Sequence, residues 1–217
     1  MQTLPVEALC PKSVSPDLGV ISVFITNLGR YNEGELVGEW LSLPTSQEEL
    51  ANCLKRIGID GVNYEEYFLT DYESTVDGVS SYISQYSNLN ELNYLAYQLE
   101  ELTNVEIELY EAIIYIGEYV QSLADLINLP DNLDCFQCLW DVKDEYDLGY
   151  YWIDESGCYS TKELGNLMNY FDYERYGHDI ALEQGGTFAS CGYVYHTGES
   201  FIESYDGKNI PEEYCVS

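Results

Sequence analysis

Carboxylates are the reactive side chains that dominate this sequence. The 39 Asp and Glu residues stand against 8 Lys and Arg, which gives a formal net charge of -31. Seventeen of the acids and none of the bases lie between Ile57 and Asp141. Acidic helices usually carry a base four residues after a glutamate, because each such pair adds about 0.2–0.5 kcal/mol. The residues four positions after Glu100, Glu101 and Glu111 are uncharged, which indicates a surface that is kept anionic.

Some of these acids have a regular spacing. Glu108, Glu111 and Glu118 are separated by three and seven residues, which predicts a row along one outer face of a helix. Such a row would present charges at phosphate-like intervals. A solvated helix face is the plainer interpretation for any single glutamate.

The acids from Asp71 to Asp77 alternate like the ligands of a calcium-binding loop. However, Val76 stands where an EF-hand needs glycine, and Tyr82 stands where it needs glutamate. We therefore interpret these residues as solvated carboxylates and predict no metal site there.

The other reactive side chains form no recognised catalytic pattern. His178 and His196 have no nucleophile pattern nearby, and no G-x-S-x-G, H-E-x-x-H or Walker motif occurs. Cys135 and Cys138 form a lone C-x-x-C without the second pair that a zinc site needs. We expect reduced, buried or incidental thiols, no cofactor and no enzymatic activity. With 39 acids, a carboxylate pair for glycoside hydrolysis stays open as an alternative.

The net charge indicates what kind of partner to expect. Direct binding to nucleic acid is disfavoured, because phosphates would repel this chain. A basic partner fits better, and a DNA-binding groove is the commonest basic surface. At one charge per about 1.7 Å of duplex, the chain carries the charge of roughly 15 base pairs. An acidic surface for solubility or salt adaptation is the alternative.

Targeting and membrane signals are not visible in the sequence. The first residues lack the basic start and apolar run of a secretory signal. No segment approaches the roughly 18 apolar residues of a membrane-spanning helix. We therefore expect a cytoplasmic protein that does not associate with membranes.

The elements of the first third are predicted to form a small sheet that carries one helix. Strands are expected at Val20–Thr26, Glu39–Leu43 and Tyr64–Asp71. A helix should begin near Thr45, where two overlapping capping boxes occur. Residues 27–38 are expected to be a glycine-punctuated loop.

From Asn88 the apolar spacing becomes helical and predicts short antiparallel helices up to Pro130. A strand at Leu133–Trp140 is expected to follow, then a helix at Val142–Ile153 and a hairpin at residues 187–196.

These elements predict an α+β fold that is elongated, because self-repulsion disfavours a compact globule. Its three small domains would be an N-terminal antiparallel sheet with one helix, a central helical bundle and a C-terminal α+β domain. The predicted boundaries are an N-terminal arm at 1–18, the sheet domain at 19–86, the helical domain at 87–130, the α+β domain at 131–200 and a tail at 201–217.

Three segments resemble the ArdA family of antirestriction proteins. Phe24–Pro44 (FITNLGRYNEGELVGEWLSLP) is similar to the family's start, and Tyr64–Glu73 (YEEYFLTDYE) is similar to its acidic signature region. Asn169–Ile180 (NYFDYERYGHDI) and the following Thr187–Phe188 resemble its C-terminal domain. The likeness covers roughly residues 20–196, so the arm before it and the tail after it are departures from the family pattern.

The resemblance implies a DNA mimic without enzymatic activity. Family members are elongated proteins that pair through their C-terminal domains and are typically carried on mobile genetic elements. They occupy the DNA groove of type I restriction-modification enzymes, in both the methyltransferase core and the nuclease complex. A homodimer would carry twice the charge of one chain, equivalent to roughly 30 base pairs. An acidic interaction or chaperone-like module for basic proteins is the alternative from another class.

We predict a mimicking surface of twelve acids whose contributions add up, so that none is indispensable. They are Glu65, Glu66, Asp71, Glu73, Asp77, Glu100, Glu101, Glu108, Glu111, Glu118, Asp172 and Glu174.

Overall fold

The computed structural model describes residues 19–160, 162 and 165–217. The arm predicted at residues 1–18 lies outside the described residues. The fold is mixed α+β, as predicted, with two three-stranded antiparallel sheets and several helices. The described part of the chain divides into two compact units, one made of residues 19–101 together with 207–217 and the other of the described residues between 102 and 206. The elongated shape and the three-domain division stay predictions.

The first unit is built on a sheet of three antiparallel strands in the order β2-β1-β3. These strands are β1 (Ile21–Asn27), β2 (Gly38–Leu43) and β3 (Tyr67–Ser74). Strands β1 and β2 confirm the strands predicted at Val20–Thr26 and Glu39–Leu43. The central strand β1 is buried at six of its seven positions, because it has a neighbouring strand on each side.

The third strand begins three residues later than predicted. The cause is a turn in which the Asp60 carboxylate accepts hydrogen bonds from the backbone N–H groups of Val62, Asn63 and Tyr64, at 2.9, 2.8 and 3.2 Å. These bonds hold Tyr64 in the turn, so that the ladder with β1 starts at Tyr67.

The predicted loop at residues 27–38 is wrong in its first part, where helix α1 (Leu28–Asn32) forms. The reason is the buried side chain of Asn27, which accepts a hydrogen bond from the Arg30 N–H at 3.0 Å and caps the helix. Its amide group also donates to the Ile57 carbonyl at 3.1 Å.

Two further helices complete the first unit. Helix α2 (Gln47–Arg56) is capped by Ser46 and ends before Gly58, whose φ of 80° is left-handed. Helix α3 (Leu89–Glu101) buries Leu89, Leu92, Leu95 and Leu99. These residues form the apolar stripe that the helical spacing from Asn88 predicts.

The second unit begins with two helices. Helix α4 (Asn104–Ile116) starts with a capping box between Thr103 and Glu106 and ends at Gly117, whose φ is 75°. Helix α5 (Leu123–Asn128) follows and continues into a 3-10 turn. Tyr110 is fully buried in α4, and its hydroxyl donates to the Leu126 carbonyl at 3.0 Å.

The second sheet has the strand order β4-β6-β5. Its strands are β4 (Phe136–Trp140), β5 (Thr187–Phe188) and β6 (Gly192–His196). The hairpin predicted here is confirmed, and both pairings are antiparallel. The predicted strand at Leu133–Trp140 begins three residues late, because a 3-10 helix continues up to Cys135.

Helices α6 (Glu145–Tyr150) and α7 (Tyr173–Gln184) pack closely in the second unit. They touch at Gly149 and Gly177. A Cβ atom on Gly177 would overlap the Glu145 carbonyl, and one on Gly149 would overlap the Tyr173 carbonyl. The two backbones therefore meet directly, which only glycine permits here.

The C-terminal segment is tied down by buried asparagines. The Asn128 side chain bonds both backbone groups of Tyr205, accepting from its N–H at 2.7 Å and donating to its carbonyl at 3.0 Å. Asn132 binds the two backbone groups of Ile202 in the same way, at 2.6 and 2.8 Å. In the first unit Asn93 donates to the Tyr214 carbonyl at 2.9 Å.

Within the described part of the chain, no helix combines the length and the hydrophobicity that crossing a membrane requires.

Candidate carboxylate surface

Four of the predicted acids lie in or just before the edge strand β3. Glu65 and Glu66 precede it, Asp71 and Glu73 lie within it, and all four are exposed. Asp77 follows in the next turn and is exposed as well.

A β-bulge decides which way Asp71 and Glu73 point. The register with β1 shifts between Phe24 and Ile25, so that Thr70 is an extra residue in β3. Leu69 and Tyr72 can therefore both face the apolar side of the sheet, although they are three residues apart. Asp71 and Glu73 both face the other side as a result. The sequence pattern gave no signal for this bulge.

Glu100 and Glu101 are the last two residues of α3 and are exposed. The C-terminal end of a helix carries partial negative charge and favours bases. The last turn of α3 contains no base. Local helix energetics therefore do not explain these two acids.

The predicted row of Glu108, Glu111 and Glu118 is interrupted. Glu108 is exposed and Glu111 half-buried on α4, but the helix ends at Ile116. Glu118 lies beyond the left-handed Gly117, and its exposed side chain is not part of the helix face. The prediction of one helical row was wrong for Glu118, because the spacing was counted across a helix end.

Asp172 and Glu174 are exposed at the start of α7, where they have a local structural role. The Asp172 side chain accepts a hydrogen bond from the Arg175 N–H at 3.1 Å and caps the helix. Glu174 lies in the first turn, where an acid is favoured by the helix dipole.

Two arginines of the first unit neutralise acids outside the predicted set. Arg30 lies 3.0 Å from Glu35, and Arg56 lies 2.9 Å from Glu39 and 2.8 Å from Glu49. In these ion pairs neither arginine contacts one of the twelve predicted acids.

The carboxylates that the structure describes differ in environment from a hydrolytic pair. No Asp or Glu in the described ranges is buried. The Asn63 side chain and backbone N–H groups hold the pKa of Asp60 well below its ordinary value. Hydrogen bonds from the backbone and side chain of Thr103 lower the pKa of Glu106. A general acid at neutral pH needs a raised pKa instead.

The acids that alternate like calcium-loop ligands in the sequence lie in and just after a strand. Asp71 and Glu73 lie in the extended strand β3 rather than in a loop that wraps around an ion. No cluster of three or more potential ligands occurs among the residues that the structure describes.

Two cysteines that the sequence analysis did not connect lie close together. The Cys138 and Cys191 sulfurs are 3.7 Å apart, and both residues are buried. Burial raises the pKa of Cys138 to about 12, so the thiol stays protonated and unreactive. Cys135 contacts other groups, the Asn132 side chain and the Ser200 carbonyl. The C-x-x-C pair therefore does not act as a unit.

A cavity in the first unit was also missed. Its volume is about 740 Å³, and its lining includes Tyr31, Glu65, Glu66, Phe68 and Tyr86. The lining comes from four separate parts of the chain, one of them Ser217, so spacing within any one of them carries no signal for it.

Comparison with known proteins gives one family. The model of a family described as antirestriction protein (ArdA) matches residues 23–195, which is more than half of the chain. All twelve predicted acids lie within the matched range. A search of curated proteins finds no match.

Proposed function

The chain belongs to the ArdA family of antirestriction proteins, and from this membership we propose that it inhibits type I restriction-modification enzymes as a DNA mimic. Its carboxylates would occupy the groove in which these enzymes bind DNA, both in the methyltransferase core and in the nuclease complex. No chemical step is required, because inhibition follows from occupancy of the groove.

The observation that carries this proposal is the unbalanced charge between Ile57 and Asp141. Seventeen acids lie there without a lysine or arginine, and eleven of the twelve predicted acids along the chain are exposed. Self-repulsion makes such a surface costly for stability. A partner with a cationic groove offsets that cost, because the acids displace anions from the groove in the way that phosphates do.

We also propose that two chains associate through the second unit. Large apolar side chains are exposed there, with exposed fractions of 67% for Leu167, 86% for Tyr170 and 71% for Leu182. Exposed apolar side chains favour a protein interface where they form one contiguous patch. The homodimer would act in the cytoplasm, where its proposed partner meets DNA.

The experiment is displacement of a fluorescent DNA duplex from a type I methyltransferase core, followed by anisotropy at several salt concentrations. We expect full displacement, with an affinity that falls by about 10³-fold or more between 50 and 200 mM salt, as for DNA itself. An acidic chaperone-like module would instead bind unrelated basic proteins equally well. Equal binding to the methyltransferase and to a basic protein without a DNA groove would overturn the proposal.

A further inference from the structure

The cavity of the first unit has the size of a ligand site. Its volume of about 740 Å³ falls in the range of roughly 300–1,000 Å³ that is typical of small-molecule pockets. It lies between α1, the start of β3, the segment that leads into α3 and Ser217. A surface that only imitates phosphates has no need for such a cavity.

Backbone hydrogen bonds hold the walls of the cavity in place. The Leu28 N–H donates to the Glu66 carbonyl at 3.0 Å, and the Leu69 N–H donates to the Gln85 carbonyl at 3.3 Å. The turn that carries Tyr86 is closed by hydrogen bonds between Ser84 and Ser87, at 2.9 and 3.0 Å. These hydrogen bonds connect α1 to the start of β3, and β3 to the segment that leads into α3.

The lining combines aromatic rings with carboxylates. The Tyr31 and Phe68 rings pack edge to face, with their centroids 5.1 Å apart. Tyr86 exposes 83% of its surface, which is unusual for a large ring without a partner to cover it. Glu65 and Glu66 add two exposed carboxylates. Among the described residues, no Lys or Arg lines the cavity.

This combination selects organic cations. A guanidinium ion stacks on aromatic faces and donates paired hydrogen bonds to carboxylates, which inorganic cations cannot do. The same unit already contains an internal example: the Arg30 guanidinium lies 4.7 Å from the centre of the Tyr64 ring and pairs with Glu35.

We propose that this cavity binds the guanidinium group of an arginine side chain supplied by a protein partner. The inference rests on the proposed function in one respect, namely that the arginine would come from the partner's DNA-binding groove, where arginines contact phosphates. The cavity would then add a specific anchor to an otherwise distributed set of charge contacts.

The test uses the full chain and acetyl-argininamide as the probe, with binding followed by NMR and calorimetry. We expect saturable binding, with shifts concentrated at the residues that line the cavity. The uncharged analogue acetyl-citrullinamide has nearly the same shape and should not bind. The double variant E65Q/E66Q should weaken binding by about tenfold or more, and Y86A by severalfold.

The matched control is E212Q/E213Q, which removes two exposed glutamates of the same unit that do not line the cavity. This variant should bind the probe within about twofold of the unmodified chain, since only diffuse charge is lost. Equal weakening by both double variants, or equal binding of the two probes, would overturn the proposal. The assay contains no restriction enzyme, so its failure leaves the DNA-displacement result unaffected.

Discussion

Buried asparagines bond the C-terminal segment to the rest of the fold. Asn128 is 2% exposed and Asn132 is 1% exposed, and each bonds both backbone groups of one residue in that segment. An extended segment without strand partners must satisfy its buried backbone groups through side chains. Of the tail predicted at residues 201–217, Ile202 and Tyr205 are thus bonded to asparagines of the second unit, and Tyr214 is bonded to Asn93 of the first.

Replacing Asn128 with alanine should lower the free energy of unfolding. The change removes the two hydrogen bonds that the buried Asn128 side chain makes to the N–H and carbonyl of Tyr205, and each lost hydrogen bond costs about 0.5–1.5 kcal/mol. Urea denaturation measures the difference. The exposed Asn166 provides the control, and its alanine variant should stay within about 0.5 kcal/mol of the unmodified chain. Equal stability of the two variants would show that these hydrogen bonds do not hold the segment.

His178 gives the protein a pH-dependent contact between α6 and α7. Its ring nitrogen lies 2.8 Å from a Glu145 carboxylate oxygen, and this hydrogen bond raises the pKa of His178 above its ordinary value of 6.5. Because the folded-state pKa is raised, the contact stabilises the fold fully below about pH 6.5. The stabilisation is lost as the pH rises through the folded-state pKa.

NMR titration of the His178 ring should give a pKa above 6.5, and E145Q should lower it. The stability difference between the unmodified chain and H178A should shrink as the pH rises from 6 to 9. A His178 pKa that E145Q leaves unchanged would rule out this contact as the cause.

At the scale of elements, the crossing of α6 and α7 depends on two glycines. Helix propensity alone predicts that G177A would stabilise α7 by about 1 kcal/mol. However, the new Cβ would overlap the Glu145 carbonyl, and this backbone group cannot rotate away. Overpacking of this kind costs about 1–3 kcal/mol, which exceeds the gain in helix propensity. We expect net destabilisation in thermal melts. E183A, on an exposed position of the same helix, should change stability little, whereas a higher melting temperature for G177A would contradict the close crossing.

The elements themselves were largely predictable, but their ends were not. Strands β1 and β2 and the buried stripe of α3 follow from apolar runs, because burial on one face imposes a period on the sequence. The start of β3 depends on the Asp60 turn, and the end of α4 depends on Gly117. Single residues of this kind decide where an element begins or ends. The hydrophobic period is averaged over a whole element, so it does not locate an end to within one or two residues.

The candidate surface was predictable in composition but only partly in geometry. A charge bias averages over many residues, so the exposure of the acids follows from the sequence. The β3 bulge, the cap formed by Asp172 and the cavity beside Glu66 each depend on contacts between distant parts of the chain. Residue spacing does not encode those contacts.

At the scale of the whole molecule, inhibition should depend on the sum of charges rather than on any single acid. A single change such as E108Q should weaken inhibition of a type I enzyme by no more than about threefold, because each phosphate-like contact is weak. The combined variant E100Q/E101Q/E108Q/E118Q should weaken it by about 100-fold or more. The charge-matched control replaces four exposed acids outside the predicted set, namely Glu183, Glu199, Glu203 and Glu212. A loss from E108Q alone as large as that of the fourfold variant would contradict a distributed surface.

The most direct measurement is the dependence of inhibition on DNA concentration. A type I methyltransferase core is titrated with this protein at several fixed concentrations of its duplex substrate. If the carboxylates occupy the DNA groove, the apparent inhibition constant rises in proportion to the DNA concentration, because the two ligands exclude each other. An inhibition constant that stays the same while DNA rises tenfold above its dissociation constant would contradict DNA mimicry.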